Sequence, residues 1–432
     1  MRLSQLSRLA LIATFLFPAS AAAAPAPDRL PDQYLVVLAD SVNDPAAAAS
    51  DLASRHLLAV GHRYEHSLKG LSARVPPERL AALAADPRVS FVAADRLVQF
   101  DQIVAGGQSL PTGVDRIEAD RSRTRAGNGR GGVDADVAVI DTGIDPTHPD
   151  LNVVGGHNCT SKDPDAWQDD AGHGTHVAGV IGARDNGIGV VGVAPGARLW
   201  AVKVGDAKGA KISDVVCGLE WVARNSATIK LANMSLSSPG ADDGQCGAVA
   251  KDALHAAVCA AAAAGVTQVV SAGNSATDLA GTVPAAYPEV LTVTAMADLD
   301  GRPGGRASGG CRPGERDDAA ASFSNFAVGE RSAAHTIAAP GVCIRTTFLV
   351  GRGEGGGDYI TASGTSAAAP HVAGTAALCL ASRACAGLRP GRVIAALSAA
   401  AAARPRSYGF DGDPAHSIAG RFYGYLVYAG RY

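Results

Sequence analysis

From Asp136 to about residue 381 the chain alternates two hydrophobic patterns. Short apolar runs at 137–140, 198–204, 229–234, 268–270 and 290–293 are separated by stretches of helical spacing at 173–183, 212–226, 247–264 and 366–381. Most of the runs lack a polar residue at every second position, so they read as strands buried on both faces. Strands of that kind separated by helices form a parallel sheet with right-handed crossovers. The expected class is therefore α/β, with helices on both faces of the sheet and ligands gathering at the carboxyl ends of the strands.

A smaller unit precedes it. A strand at 34–38 leads to a helix at 44–58, where Asp44 can cap and Pro45 takes the first helical position. Strand patterns at 64–68 and 71–75 flank Gly70, a helix at 77–85 follows Pro76, and a strand at 89–92 closes a β-α-β-β-α-β order. This predicts a compact, ferredoxin-like α+β domain within residues 30–100. The irregular stretch 99–108 reads as a cleavable boundary, with the larger domain running from 108 to 432.

Composition narrows the classes. In 432 residues, 47% are hydrophobic and 18% charged, which allows a sizeable core and excludes disorder or a coiled coil. A net charge of -3 argues against nucleic-acid binding or a polybasic membrane anchor. The first 24 residues stand apart: Arg2 and Arg8, an apolar run at 9–17, then small residues at 18–24. That is the grammar of a secretory signal peptide cut near Ala21 to Ala24, and the run is too short to cross about 30 Å of hydrocarbon. Secretion without a membrane span follows as the expectation. The 8 cysteines suit an oxidising destination. Their pairing is left open, and the absence of a C-x-x-C pair argues against structural zinc.

Four segments carry chemistry. Asp141 ends the apolar strand VAVI. His173 lies in GHGTHVAG, flanked by glycines that allow close backbone approach. Asn274 follows the strand at 268–270. Ser366, in SGTSAAAPHVAG, opens a helix, beside backbone N–H groups and the positive helix end. An acyl-transfer site requires a hydroxyl nucleophile, an imidazole base, a carboxylate that holds the base's tautomer, and donors for an oxyanion. The order Asp, His, Asn, Ser on one α/β frame offers all four.

The motifs VIDTG (139–143), GHGTHVAG (172–179), GTS (364–366) and PHVAG (370–374) resemble those of the subtilases, the subtilisin-like serine proteases. The resemblance covers nearly all of the chain after the signal peptide. It implies that Asp141 orients the imidazole, His173 is general base and then acid, Ser366 is the nucleophile, and Asn274 donates to the oxyanion. The family usually carries Met after the serine and Ser before the proline. Ala367 and Ala369 stand there instead and remove no catalytic group. The small N-terminal unit resembles the family's inhibitor-type propeptide. A zymogen that cleaves itself between about residues 99 and 107 is implied, with the propeptide as intramolecular inhibitor. The other reading of that unit is a stable binding domain.

The resemblance also implies a structural calcium ion, held by Gln108, Asp150, Asn186 and the carbonyls of Arg184, Ile188 and Val190; no organic cofactor is implied. Calcium takes several hard oxygens of this kind. A second acidic patch, Asp163, Asp165, Asp169 and Asp170, reads as a solvated loop. The segment from Asn233 to Pro239 resembles the strand that pairs with an extended substrate. Its first pocket would lie between Ser235, Leu236 and Ser237 on one side and Ala272, Gly273 and Asn274 on the other. Those walls are small and uncharged, which implies a broad apolar or aromatic preference. The expected protein is a monomeric endopeptidase acting on proteins or peptides. A non-cutting binding protein is disfavoured by the intact set of four residues. An α/β-hydrolase esterase is disfavoured by the missing G-x-S-x-G elbow and by the residue order. The Tyr-rich tail from Arg404 onward carries a strand pattern at 422–428 and no functional reading.

Overall fold

The computed structural model describes residues 29–100, 111–129 and 132–432, without the side chains of 29 and 97–100. The signal-peptide segment, Gln108 and most of the expected cleavage interval lie outside the described residues.

The main sheet runs in the order Ala319–Ala320, Leu291–Ala297, Thr267–Ser271, Leu231–Met234, Asp136–Asp141, Arg198–Lys203, Val153–Asn158, and Thr336–Pro340 joins it beside Leu291–Ala297. All pairings are parallel except that of Ala319–Ala320. The unbroken apolar runs have a direct cause. Along Asp136–Asp141, Val137 and Val139 enter one core, while Ala138 and Ile140 enter another on the opposite face. The first core is covered by the helices His173–Gly182, Thr365–Ala381 and Pro390–Ala402. The second is covered by Ile212–Arg224 and Ala253–Ala263. The sequence pattern placed the helix before the strand Thr267–Ser271 at 247–264. It starts only at Ala253, because Asp252 caps it by accepting the N–H groups of Leu254 and His255.

The N-terminal unit has the expected element order: Arg29–Leu38, Pro45–His56, Ala59–Tyr64, Gly70–Arg74, Pro77–Ala84 and Val89–Phe100. Its second strand precedes the predicted position, ending rather than beginning at Tyr64. The unit's two sheet faces do different things. Val36, Leu71 and Val89 pack beneath the unit's own helices, whereas Leu35, Val37, Tyr64 and Phe91 join the second core of the larger domain.

All eight cysteines are paired: Cys159–Cys217, Cys246–Cys259, Cys311–Cys343 and Cys379–Cys385. The tail is integral to the main core. Phe410, Tyr423, Leu426, Val427 and Tyr432 are buried there. It meets the strand Thr336–Pro340 through one bridge, Ala338↔Leu426, rather than as the continuous strand its pattern suggests. No helix among the described residues is long and apolar enough to cross a membrane.

Arg116 pins the start of the larger domain to this tail. It is 1% exposed. Its Nε donates to Asp318 Oδ1 at 2.9 Å, and its Nη2 donates to the carbonyls of Tyr408 and Gly409 at 2.8 and 2.9 Å. Removing one partner of a buried ion pair strands the other in a dry site, at a cost of about 3–5 kcal/mol. Arg116→Met is expected to lose that much stability in denaturant unfolding, measured on a Ser366→Ala background to suppress autolysis. An unchanged midpoint would show that Arg116 does not hold this segment to the tail.

Candidate active site

The site forms where strands and helix starts converge on the carboxyl edge of the sheet. Asp141 is the last residue of its strand and has no solvent exposure. Its Oδ1 accepts from the Thr142 N–H and lies 2.7 Å from His173 Nδ1. His173 is the first residue of the helix His173–Gly182. The flanking glycines are required by contact and by conformation. A Cβ on Gly174 would stand 2.0 Å from the Gly143 carbonyl oxygen, and Gly172 has φ +93° with the Phe348 ring against it.

Asp169 holds these two segments in register. Its Oδ1 accepts from the Thr142 hydroxyl (2.8 Å) and the N–H groups of Ala171 (3.0 Å) and Gly172 (2.8 Å). Its Oδ2 accepts from the Thr175 N–H (2.9 Å) and hydroxyl (2.7 Å). Thr142 in turn accepts from the Gly174 N–H at 2.9 Å. The solvated-loop reading therefore fails for Asp169, which is buried by the partners it collects. Asp163, Asp165 and Asp170 are exposed, in keeping with it. His176 lies edge-on to His173 with ring centroids 5.5 Å apart. Burial, with the nearby His173, pushes His176 down to about 3, so it places no second positive charge beside His173.

Ser366 lies in the first turn of the helix Thr365–Ala381 and is fully buried. Its surroundings follow from Pro370, four residues on. Proline has no N–H to donate to the Ser366 carbonyl. That carbonyl instead accepts from the Ser235 hydroxyl at 3.2 Å, and Ser235 also takes a bond from Asn233 Nδ2 at 3.0 Å. One expected pocket wall is thus tied directly to the serine helix.

Thr365 ties the other wall. Its N–H and hydroxyl both donate to Asn274 Oδ1 at 2.9 Å, and its hydroxyl accepts the Gly273 N–H at 3.1 Å. With Oδ1 committed, the NH2 end of Asn274 is the end that serves as donor elsewhere. Asn325 braces the same loop, donating to the Ala272 carbonyl at 2.9 Å and accepting the N–H groups of Ser275 and Thr277. Asp169, Thr365 and Asn325 were missed as positioning residues. Only for Thr365 was there a signal, its place in the GTS motif.

The strand Leu236–Pro239 is paired on both edges. It pairs antiparallel with Thr282–Val283 and, through Leu236↔Phe100 and Ser237↔Gln99, with the end of the N-terminal unit's last strand. That strand also pairs with Gly209–Lys211, through Leu97↔Lys211 and Val98↔Ala210. The end of the N-terminal unit therefore lies along the edge expected to receive substrate.

The expected calcium loop follows the helix His173–Gly182. Asp150 is buried. Its Oδ2 accepts from the Val190 N–H at 3.0 Å and the Tyr359 hydroxyl at 3.3 Å, while Oδ1 is buried with no hydrogen-bond partner among the described residues. Asn186 Oδ1 accepts from the Ile188 N–H at 3.0 Å. A buried carboxylate oxygen without a donor, beside a loop of carbonyls, fits a hard cation.

This fold and site define a hydrolase built for acyl transfer. The chain belongs to the subtilase family, whose match extends over residues 132–413. It is a subtilisin-like serine endopeptidase. It is 38% identical to an alkaline protease of Alkalihalobacillus alcalophilus over 320 residues, 73% of this chain and 70% of that one. It is 34% identical to subtilisin NAT of Bacillus subtilis subsp. natto over 384 residues, 88% of each chain. Among solved structures, a cold-adapted subtilisin-like serine proteinase matches with a TM-score of 0.54 and 31% identity, over 74% of this chain and 99% of that one. Fervidolysin of Fervidobacterium pennivorans, at 23% identity, matches in fold with a TM-score of 0.68 over 93% of this chain, which spans 61% of that protein.

Asp169 offers a direct test of how the site is positioned. Asp169→Asn turns an acceptor of five bonds into a group that opposes some of its donors. A displacement of the imidazole by about 1 Å is expected to lower kcat roughly 10²-fold, with a smaller change in KM. Steady-state kinetics on a peptide substrate checks this. An equal loss confined to KM would place the role of Asp169 in substrate binding instead.

Proposed function

We propose that this subtilase works through Asp141, His173 and Ser366 as a triad, with Asn274 and the Ser366 N–H as oxyanion donors. The Ser366 hydroxyl attacks the scissile carbonyl carbon while His173 Nε2 takes its proton. Asp141 holds the ring through Nδ1 and stabilises the imidazolium that forms. The tetrahedral oxyanion is met by donors that need no reorganisation. His173 then gives its proton to the leaving amine, and water repeats the sequence on the acyl-enzyme. The observation that carries this reading is the buried 2.7 Å contact between His173 and Asp141. The tethering of Asn274 to Thr365, the residue before Ser366, supports the oxyanion role.

We further infer that residues 30–100 are a propeptide and that 108–432 form the mature enzyme. Support comes from the pairing of residues 99–100 with Leu236 and Ser237, where a substrate strand would add. The unit also completes the larger domain. Asp95 Oδ1 accepts the Ser213 N–H at 3.0 Å, capping the helix Ile212–Arg224, whose own N-cap Lys211 makes no side-chain capping bond. Glu220 accepts the N–H groups of Glu65, His66 and Ser67. A unit that supplies a cap and blocks the substrate edge fits both a folding aid and an inhibitor. Asp150, Asn186 and the carbonyls of Arg184, Ile188 and Val190, with Gln108, would hold calcium and so brace the loop behind the His173 helix. The pocket walls, Ser235 to Ser237 and Ala272 to Asn274, support a broad apolar or aromatic preference. The leader sequence and four disulfides support secretion, and the enzyme is read as a monomer.

N-terminal sequencing of the secreted chain and of Ser366→Ala tests the scheme. The wild type is expected to begin between about residues 99 and 108. The variant is expected to retain the N-terminal unit and to lose protein hydrolysis. A variant that is trimmed at the same bond would mean that another protease performs the cut. A variant with unchanged hydrolysis would overturn the nucleophile.

A further inference from the structure

Beyond the strand Leu236–Pro239 the chain forms a loop, 240–252, that closes on the helix Ala253–Ala263. The disulfide Cys246–Cys259 fastens it to that helix. Asp243 gathers its backbone: Oδ1 accepts the N–H groups of Gln245 and Gly247, and Oδ2 those of Val249 and Ala250. Asp242 Oδ1 accepts the Gly244 N–H at 2.8 Å. His255, 1% exposed, lies directly beneath. Its ring stacks on Tyr287 with centroids 3.9 Å apart, and its Nε2 is 2.9 Å from Glu289 Oε2.

The other ring nitrogen is the anomaly. His255 Nδ1 is buried with no hydrogen-bond partner among the described residues. It points between two carboxylates, 3.5 Å from Asp243 Oδ1 and 3.7 Å from Asp242 Oδ1. The three ligand atoms lie within 4.8 Å of one another. Atoms bound tetrahedrally to zinc at about 2.0–2.1 Å stand roughly 3.4 Å apart. The observed separations are therefore long for direct hydrogen bonds and close to the spacing of ligands around an ion. In the tautomer that donates its Nε2–H to Glu289, Nδ1 keeps its lone pair. That is the carboxylate–histidine–metal arrangement, in which the outer carboxylate fixes the tautomer.

We propose that His255 Nδ1, Asp242 and Asp243 form a binding site for a divalent transition-metal ion of the zinc class, with Glu289 as the positioning carboxylate. Arg331, whose Nη2 lies 2.9 Å from Asp242 Oδ2, closes the outer rim with one positive charge. A proton is the competing occupant. Burial disfavours an imidazolium here, but Glu289, Asp242 and Asp252 outweigh it and favour positive charge on the ring. An imidazolium would draw its N–H to a carboxylate oxygen at about 2.7–2.9 Å, whereas the gap on the Nδ1 side is 3.5 Å at its shortest. Such an ion would tie a loop that directly continues the substrate-pairing strand to the helix beneath it.

The test uses the full chain carrying Ser366→Ala, stripped with a chelator, desalted and titrated with Zn2+. Calorimetry and elemental analysis read affinity and stoichiometry, and Co2+ substitution reads geometry through its visible absorption. One equivalent of zinc is expected to bind at least 100-fold more weakly in His255→Asn and in Asp242→Asn. It is expected to be unaffected by Asp150→Asn. Asp242→Asn keeps the side-chain shape and the oxygen that accepts from Gly244, so it remains informative should His255→Asn fold poorly. Zinc taken up at the catalytic His173 would persist in Asp242→Asn and is thereby told apart. Zinc uptake identical in all variants would overturn the site. So would a His255 ring that stays doubly protonated by NMR at neutral pH in the presence of excess Zn2+.

Discussion

A carboxylate with no contact to water must be answered by donors, because an uncompensated buried charge costs far more than a hydrogen bond returns. Asp141 is such a group, placed by the sheet at the end of a central strand with no exposure. The Thr142 N–H and His173 Nδ1 converge on one of its oxygens, and the other has no hydrogen-bond partner among the described residues. The imidazole is therefore part of the solution to a folding problem as well as part of the proposed chemistry. The neighbouring features serve that single contact. Gly174 lets the helix come within contact of the Gly143 carbonyl. Asp169 clamps the strand end and the helix start with one carboxylate, and burial keeps His176 neutral.

The serine side is assembled by a different device, a missing donor. Pro370 removes the bond that would close the first turn of its helix, and Ser235 fills the gap from the segment proposed to pair with substrate. Thr365 does the equivalent toward Asn274 and Gly273. Ser366, Asn274 and the two segments proposed as pocket walls are thus linked by bonds made within one short helix turn. A disturbance of either wall is transmitted to Ser366 without passing through the rest of the domain. This is a reason for small residues there, since Ala367, Ala368 and Ala369 are all fully buried and leave no spare volume for compensating movement.

The fold was legible because its strongest signal is local. Runs such as 137–140 admit both-face burial and little else, and the helices between them carried their own period. The four residues proposed for the chemistry stand out in the sequence, each in a motif whose glycines or position at a strand end gives a physical reason. What could not be read were the residues that act only through tertiary contact. Asp169 looks like its exposed neighbours Asp163, Asp165 and Asp170 until the Thr142 and Thr175 hydroxyls are brought to it. His255 looks like an interruption in an alanine-rich helix until Asp242, Asp243 and Glu289 surround it. The pairing of eight cysteines was closed to sequence for the same reason, since spacing along the chain says nothing of distance across it. Helix 253–263 shows the local limit: its alanines extend the pattern upstream, but Asp252 decides where the backbone turns.

A protease lives among its own kind, and loose ends are where chains are cut. The larger domain fastens the segment 116–123 to the tail. The tail covers the edge strand Thr336–Pro340: the Ala338 N–H donates to the Tyr425 carbonyl and the Val427 N–H to the Ala338 carbonyl, both at 2.9 Å. The Ala429 N–H reaches the Ile117 carbonyl, and the Arg123 N–H reaches the Tyr432 carbonyl at 2.6 Å. Arg116 joins the same two segments through a buried charge. An edge strand so covered offers no free ladder to another chain, although one bridge, not a full strand, does the covering. The Tyr-rich composition follows from that geometry. Tyr408 reaches the Val427 carbonyl at 2.8 Å through its hydroxyl, and its ring meets the Arg404 guanidinium and the Tyr428 ring, so one side chain supplies both apolar area and a bond in a segment too short to build a core of its own.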